Sequence, residues 1–257
     1  MKDLVTVCFE SENLAAVAIS FAEKHALEVR SVETVSTPFI LYYKEVFVEL
    51  IDRQTNTAIH VDFLAGTLAH RRQYGGGKGQ AIAKAIGLKQ YKLPLNVLDA
   101  TAGLAKDAFV LACLGCSLTL LEQNPVVAEL VKNALTRAEN EAVFKTIREQ
   151  GFKLIIADAV DFLKATTTQP DIIYIDPMYP QRKKSAAVKK NMQILQKLVS
   201  HGEDKIFNET ELLNQALITA KKRVVVKRPK GAPCLTDTQP TMSIESKITR
   251  YDVYVLT

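Results

Sequence analysis

The sequence has few cysteines, and their spacing argues against a disulfide framework or a metal site. The 257 residues include four: Cys8, Cys113, Cys116 and Cys234. They are too few and too scattered for a disulfide scaffold. Only Cys113 and Cys116 have C-x-x-C spacing, and no second ligand pair follows them. We therefore expect reduced thiols and no bound metal.

Long apolar runs are also missing, which argues against a transmembrane helix. No run of about 18 apolar residues occurs, and residues 1–4 lack the charged start and apolar stretch of a secretion signal. With 47% apolar and 24% charged residues, the composition is that of an ordinary globular protein that can build a sizeable core. We expect the protein to be cytoplasmic.

Two common nucleotide-binding motifs are absent. Segment 71–79 has four glycines in five consecutive positions, but it lacks the spacing of a P-loop and no apolar strand leads into it. The loop after Asp99 has one glycine, Gly103, so the G-x-G-x-x-G fingerprint of NAD-binding proteins is not met. Two interpretations of segment 71–79 stay open: a hinge between domains, and a basic loop that contacts substrate or cofactor.

The sequence does contain alternating strand and helix patterns, and these predict an α/β protein. Residues 1–75 predict a small α+β domain, and residues 76–93 a glycine-rich and helical connector. From residue 94 to 257 the β-α rhythm predicts a mostly parallel, Rossmann-like sheet covered on both faces, with an antiparallel edge as an option for its last pair of strands. The patterns predict strands at 4–9, two within 39–51, then 96–100, 117–121, 153–157, 171–175, 223–227 and 249–256, and helices at 13–24, 106–114, 125–140, 186–199 and 209–220.

Acidic residues lie at the carboxyl ends of four of the predicted strands: Asp99, Glu122, Asp158 and Asp176. Ligands of open α/β sheets bind beyond the carboxyl ends of the strands, so we expect these acids to line one crevice. Glu122 suits the hydroxyls of a ribose, and Asp158 suits an adenine amino group. Both have an alternative role at the start of a following helix, where acids are also favoured.

The segment Asp176-Pro177-Met178-Tyr179 is the most informative motif. It follows the apolar run 172–175 and offers a carboxylate, a carbonyl and an aromatic face together, which suits an exocyclic amino group of a nucleobase. The alternative is a simple turn, because Asp-Pro also marks turns. The three companion acids favour the first interpretation.

This layout resembles that of methyltransferases that use S-adenosylmethionine. The stretches 98–103, 122–127, 176–190 and 224–229 closely resemble the RsmJ family of 16S ribosomal RNA guanine-N2 methyltransferases. The resemblance extends from about Arg71 to the carboxyl terminus. It implies a Rossmann-like methyltransferase fold, S-adenosyl-L-methionine as cofactor with S-adenosyl-L-homocysteine as product, and 16S ribosomal RNA or the small ribosomal subunit as partner. A monomer is expected.

The resemblance also implies roles for individual residues. It implies that Asp176 lies between cofactor and target. From the chemistry of the motif itself, we expect Asp176 and the carbonyl of Pro177 to accept the two hydrogens of the amine, and Tyr179 to stack on the base. The residues assigned to the cofactor are Asp99, Gly103, Lys106, Asp107, Glu122, Gln123, Asp158, Ala159 and Asp176. Lys106 stands where relatives often have arginine, and Met178 replaces the second proline common in amino-methylating enzymes. The motif alone does not distinguish guanine N2 from adenine N6 or cytosine N4.

Basic residues are clustered although the net charge is only +5. One cluster directly follows the acceptor motif, and a second surrounds the strand at 223–227, including Lys227. Clustered cations beside a pocket suit phosphate contacts, whereas a solvated lysine-rich face is the alternative. The predicted RNA contacts are Arg182, Lys183, Lys184, Lys189 and Lys190.

Two other functions stay open on the residues alone. One is transfer of a methyl group to DNA or to a protein amide through the same acceptor group. The other is a non-catalytic RNA-binding or ribosome-assembly module that has kept the fold.

Overall fold

The structure, a computed structural model, describes residues 1–65, 77–178, 190–200 and 208–256, with the backbone alone at residues 190, 191 and 200. This part of the chain forms two compact units. The first contains residues 1–61, 124–137 and 190–200, and the second contains the others. Each unit combines segments that are separate in the sequence, so the units do not correspond to continuous domains. The predicted domains 1–75, 76–93 and 94–257 therefore stay a prediction.

The described chain alternates strands and helices throughout. Its strands are β1 Val5–Phe9, β2 Glu28–Val29, β3 Phe39–Tyr43, β4 Val48–Asp52, β5 Thr57–Ile59, β6 Asn96–Asp99, β7 Ser117–Glu122, β8 Phe152–Ile156, β9 Ile172–Ile175, β10 Arg223–Pro229, β11 Met242–Glu245 and β12 Thr249–Val255. Its helices are α1 Glu12–Lys24, α2 Ala81–Ala85, α3 Lys106–Cys113, α4 Pro125–Ala138, α5 Ala142–Gln150, α6 Ala159–Ala165, α7 Lys190–Ser200 and α8 Glu209–Thr219. Short 3-10 turns occur at Val32–Thr34 and Gly77–Gly79.

The first unit is built on a five-stranded sheet with the order β2-β1-β3-β4-β5. Strand β1 runs parallel to β2 and β3, whereas β3, β4 and β5 form antiparallel pairs. Helix α1 packs on β1 and β2 through Ala18, Phe21 and Ala22, as expected for a helix with one apolar face. In the same unit Lys197 of α7 pairs with Asp52 at 2.6 Å. The strand, helix and strand pair predicted at the start of the chain are confirmed.

The second unit contains a seven-stranded sheet with the order β11-β12-β10-β9-β6-β7-β8. Five neighbouring strands, from β10 to β8, are parallel, and β12 is antiparallel to both β10 and β11. All residues of β9 are buried, as are residues 224–226 of β10, because helices cover both faces of a parallel sheet. The predicted mostly parallel, Rossmann-like sheet with an antiparallel edge is therefore confirmed.

Two apolar clusters stabilise the second unit. One joins side chains of β6, β9 and β10 to α6 and α8. The other contains the rings of Phe63, Phe109 and Phe144, whose centroids lie between 5.0 and 5.6 Å apart. Rings at this spacing add a favourable packing contribution to their burial. The clusters fix the helices against the sheet and thereby fix the strand ends.

Some elements were not predicted from the sequence. Strands β2 and β5 have two and three residues, and the edge strand β11 has no buried residue, so none of them carries a clear apolar alternation. Helix α5 is amphipathic but was not assigned. None of the described helices is both long enough and apolar enough to span a bilayer.

Candidate active site

The loop between β6 and α3 lies at the carboxyl end of the parallel sheet. Gly103 has a left-handed backbone conformation, with φ +51°, and Ala105 has a similar one, with φ +55°. Glycine adopts this conformation freely, whereas it costs alanine about 1–2 kcal/mol. The N–H of Gly103 donates to Oε2 of Glu122 at 2.9 Å. The acid at the end of β7 thus fixes the loop.

Asp99 lies at the base of this loop and is only 2% exposed. Its Oδ1 accepts a hydrogen bond from the N–H of Thr101 at 3.1 Å. Burial raises the pKa of Asp99 to about 8, and the nearby charges of Asp107 and Asp176 act in the same direction. The carboxyl is therefore mostly protonated at neutral pH. Its assignment to the cofactor stays a prediction.

Asp176 directly follows β9, as predicted. Its backbone N–H donates to Oγ1 of Thr101 at 2.6 Å, which connects the acceptor motif to the β6–α3 loop. The side chain of Asp176 is 36% exposed, and Pro177 is buried. Because β6 and β9 are parallel neighbours, the acceptor motif and the Gly103 loop lie at the same edge of the sheet.

Lys227 belongs to this site, although the sequence assigned it only to a basic cluster. Its Nζ lies 2.7 Å from Oδ2 of Asp107 and 2.7 Å from Oδ2 of Asp176. The hydroxyl of Tyr174 donates to the same oxygen of Asp107 at 2.8 Å. We call Asp107, Tyr174, Asp176 and Lys227 the charged cluster. The sequence signal for Lys227 is its position directly after the buried residues 224–226 of β10.

The members of the charged cluster change one another's proton affinity. Burial acts to lower the pKa of Lys227, but Asp176 and Asp107 outweigh it, so this pKa lies above its ordinary value. Burial raises the pKa of Asp176 even though one side of its carboxylate is open, and Lys227 opposes this effect. Burial also raises the pKa of Tyr174 well above its ordinary value, so the phenol remains a neutral donor.

The other cofactor candidates lie at neighbouring strand ends. Glu122 is half-buried and Gln123 is exposed at the end of β7, and Lys106 is half-buried at the start of α3. Glu122 and the Gly103 loop are brought together, as described above. The contacts of these residues with a cofactor stay predictions.

Asp158 takes the capping position that the sequence left open as its alternative role. Its Oδ1 accepts hydrogen bonds from the N–H groups of Val160 and Asp161 at 2.9 and 3.0 Å and caps helix α6. Ala159 is buried and belongs to the apolar cluster beneath the sheet. Neither observation tests a contact with adenine.

Several predicted residues lie outside the described part of the chain. Among them are Tyr179 of the acceptor motif and most of the basic segment that follows it. The residues concerned are Arg71–Gly76, Tyr179, Arg182, Lys183, Lys184 and Lys189, together with the side chain of Lys190.

Comparison with known proteins gives the family. Residues 20–256 match the family described as "Putative SAM-dependent methyltransferase". The chain belongs to this family. S-adenosylmethionine is therefore its methyl donor.

Individual proteins are similar to this chain over most of their length. "Ribosomal RNA small subunit methyltransferase J" of Aeromonas salmonicida is 48% identical, with 85% of this chain and 86% of the relative covered. The protein of the same name from Coxiella burnetii is 41% identical over 100% of this chain and 98% of the relative. The crystal structure of a SAM-dependent methyltransferase from Neisseria gonorrhoeae superposes with a TM-score of 0.71 and 32% identity, covering 97% of this chain and 95% of that chain.

The strand-end residues fit a donor of this kind. S-adenosylmethionine carries a sulfonium and an ammonium cation, and the charged cluster holds two acids against one lysine. The left-handed turn at Gly103 has no side chain, and a Cβ there would meet no atom nearer than 4.0 Å. A ligand can therefore approach the backbone of this loop closely.

Proposed function

We propose that this methyltransferase transfers a methyl group to the exocyclic N2 of a specific guanosine in 16S ribosomal RNA. Relatives named ribosomal RNA small subunit methyltransferase J support the substrate class. The observation that carries the proposal is the position of Asp176 and Pro177 beside the Gly103 loop, at the ends of the neighbouring strands β9 and β6.

The protein's main task in this reaction is to position the reactants. The donor supplies a methyl group already activated on sulfur, so bringing the amine nitrogen into line accounts for much of the catalysis. The residues proposed to hold the donor are Asp99 and Gly103 in the loop, Lys106 and Asp107 at the methionine end, Glu122 and Gln123 at the ribose, and Asp158 and Ala159 at the adenine.

Asp176 and Pro177 are proposed to act on the amine. The lone pair of a guanine amine is delocalised into the ring, which makes the nitrogen a poor nucleophile. If the Asp176 carboxylate and the Pro177 carbonyl accept its two hydrogens, the nitrogen can pyramidalise and regain electron density. Extruding the base costs a few kcal/mol, and stacking on Tyr179 would offset about 1–3 kcal/mol of this cost.

The choice of guanine N2 rests on the resemblance of the motif to its family. Adenine N6 and cytosine N4 are also planar amines with two hydrogens, so the same acceptors suit them. We also propose that the enzyme is a cytoplasmic monomer without a metal requirement, which acts on 16S RNA or on the assembled small subunit.

The basic segment after the acceptor motif is proposed to bind phosphates. Replacing Arg182, Lys183 and Lys184 by Ala should weaken RNA binding and reduce the log-log salt slope by about 0.7–0.9 for each lost contact. Affinities measured across a salt series check this expectation. An unchanged slope would assign these residues to a solvated face.

Labelled S-adenosylmethionine offered with separate 16S RNA, genomic DNA and protein fractions tests the proposed function. We expect label in RNA, at a guanosine that nuclease digestion and mass spectrometry identify as N2-methylated. Label confined to protein or DNA would reject the proposal. RNA retention without any affinity for the donor would indicate a non-catalytic module.

Asp176→Ala tests the acceptor in the same assay. We expect kcat to fall about 100- to 1,000-fold, because a preorganised group at the reacting atom is lost, while much of the RNA affinity remains. Asp237→Ala removes an exposed acid of the same unit and is the matched control. Full activity of the Asp176 variant would exclude the proposed role.

A further inference from the structure

Lys227 occupies a central place in the charged cluster and has no part in the mechanism described so far. It lies at the end of β10, next to β9 in the sheet, and its side chain is 26% exposed. Two of the three donors that a lysine carries are directed at carboxylates, one on α3 and one after β9. The ammonium group thereby joins the segment that would hold the donor to the segment that would hold the target amine.

The contact with Lys227 uses one carboxylate oxygen of Asp176 and leaves the other for the substrate. Among the described residues, the carboxylate of Asp176 makes its hydrogen bond through Oδ2, with Lys227 as the donor. The backbone N–H of Asp176 is already bound to Thr101. The main chain and one carboxylate oxygen are thus fixed, and Oδ1 is available to an incoming N–H donor.

Charged and titratable groups surround Asp176 from four elements. Asp107 on α3 and the buried Asp99 at the end of β6 are acids, and Tyr174 on β9 is a neutral phenol. Lys227 and Arg228 on β10 are the cations that act on Asp176. Without Lys227, Asp176 would face the carboxylate of Asp107, with Arg228 as the remaining cation of this group. An ionised carboxylate only accepts hydrogen bonds, whereas protonation turns one of its oxygens into a donor.

We propose that Lys227 is a positioning residue for methyl transfer, which keeps the Asp176 carboxylate ionised and orients its free oxygen toward the target amine. This inference rests on the proposed role of Asp176 as the acceptor. Methyl transfer breaks the S–CH3 bond of the donor and forms an N–CH3 bond, and the proton that the methylated amine then loses leaves through its Asp176 acceptor to solvent. Lys227 does not take up this proton, because it stays protonated between two acids. Its contribution is electrostatic and geometric.

The pH dependence of methyl transfer distinguishes this role from simple packing. In Lys227→Met the carboxylate loses its nearest cation, and an opposite charge at this range changes a carboxyl pKa by about 1–3 units. The acidic limb of kcat/KM should therefore move to higher pH by at least about one unit. A shift of one unit lowers activity at most about 10-fold, so at neutral pH we expect a loss of about this size that is largely recovered in mildly alkaline buffer. Lys227→Arg keeps the charge and should retain the wild-type limb.

Asp107→Asn is the matched control, because it changes the other carboxylate bound to Lys227. Removing this acid leaves the Lys227–Asp176 pair and takes away a negative neighbour, so the acidic limb should stay in place or move to lower pH. A limb that moves upward in both variants would point to general disruption of the site and would overturn the inference. An equal loss of activity at every pH in Lys227→Met, or no loss at all, would also overturn it.

Infrared difference spectroscopy provides a readout that does not depend on the RNA substrate. The protonated Asp99 should contribute one carboxylic acid band in every variant. Lys227→Met should show a second such band at neutral pH, and this second band should be missing when Asp176→Asn is added. Its absence from both would contradict the inference. Wild-type protein that labels no 16S RNA would reject the proposed substrate, whereas the infrared result would still decide the role of Lys227.

Discussion

Strand β10 carries buried or partly buried cations toward both of its ends, and two of them, Arg223 and Lys227, have different surroundings. Arg223 at the amino end is 4% exposed and binds neutral acceptors: the Ala85 carbonyl at 3.1 Å, the Tyr91 hydroxyl at 3.2 Å and the Gln90 amide oxygen. Lys227 at the carboxyl end binds two acids and is more exposed. The first arrangement is a closed structural contact, whereas the second leaves charge available to a ligand.

The two edges of the parallel sheet differ in the same way. Groups at the amino edge connect α2 and the loop after it to the sheet, so their loss should be seen in stability. Groups at the carboxyl edge are held in less favourable environments, such as the left-handed Ala105 and the protonated Asp99. Functional sites often accept such costs, and the rest of the fold supports them.

Arg223→Met should have the largest effect on stability. The variant leaves three polar acceptors without their donor, and we expect the free energy of unfolding to fall by about 2–4 kcal/mol. The protein that remains folded should keep its kcat. Urea unfolding and the methylation assay check both statements. A variant of normal stability with little activity would contradict the structural role of Arg223.

Glu122→Gln should affect donor binding more than stability. The substitution keeps the size of the side chain but removes its charge, and a hydrogen bond to a charged group contributes about 1.5–3 kcal/mol. The dissociation constant for S-adenosylmethionine should rise about 10- to 100-fold by calorimetry. Glu141→Gln, at an exposed acid before α5, is the control and should leave it unchanged. A loss of stability with unchanged donor binding would place Glu122 among the structural groups.

Asp99→Asn should change how stability depends on pH. The pKa of Asp99 is about 8 in the folded protein and about 3.9 in the unfolded chain, so the folded state keeps a proton that the unfolded state releases. The proton bound to Asp99 therefore stabilises the folded state fully below pH of about 4. This stabilisation is lost as pH rises toward about 8. The Asn variant should lack this decline. Urea unfolding across pH without the donor measures it, and equal slopes for both proteins would contradict the assignment.

Lys222→Met should have the smallest effect. Lys222 forms an ion pair with Asp171 at the amino edge, and its side chain is 36% exposed. Pairs of this kind contribute less than about 1 kcal/mol. We expect a small loss of stability and normal activity, and a large loss of activity would mean that the amino edge also takes part in the reaction.

Much of the fold was predictable because the parallel strands carry strong local signals. The apolar run 172–175 with the acid after it predicted both β9 and the position of Asp176. Lys227 was missed because its contacts come from residues more than 50 positions away, on elements that only the sheet order brings together. Asp158 shows the opposite limit, since one local pattern predicts both a helix cap and a ligand contact, and the structure shows the cap.

The hydrogen bond from the Asp176 amide to the Thr101 hydroxyl limits how the choice of substrate can vary. Adjacent strands in a sheet lie about 4.8 Å apart, so under the proposed function this strand pair sets a fixed span between the methyl donor and the target amine. A one-residue slip in the pairing would reverse the direction of every side chain. On this proposal, we expect acceptance of a different base to arise from the segments beyond the strands, while the paired strands keep the span constant.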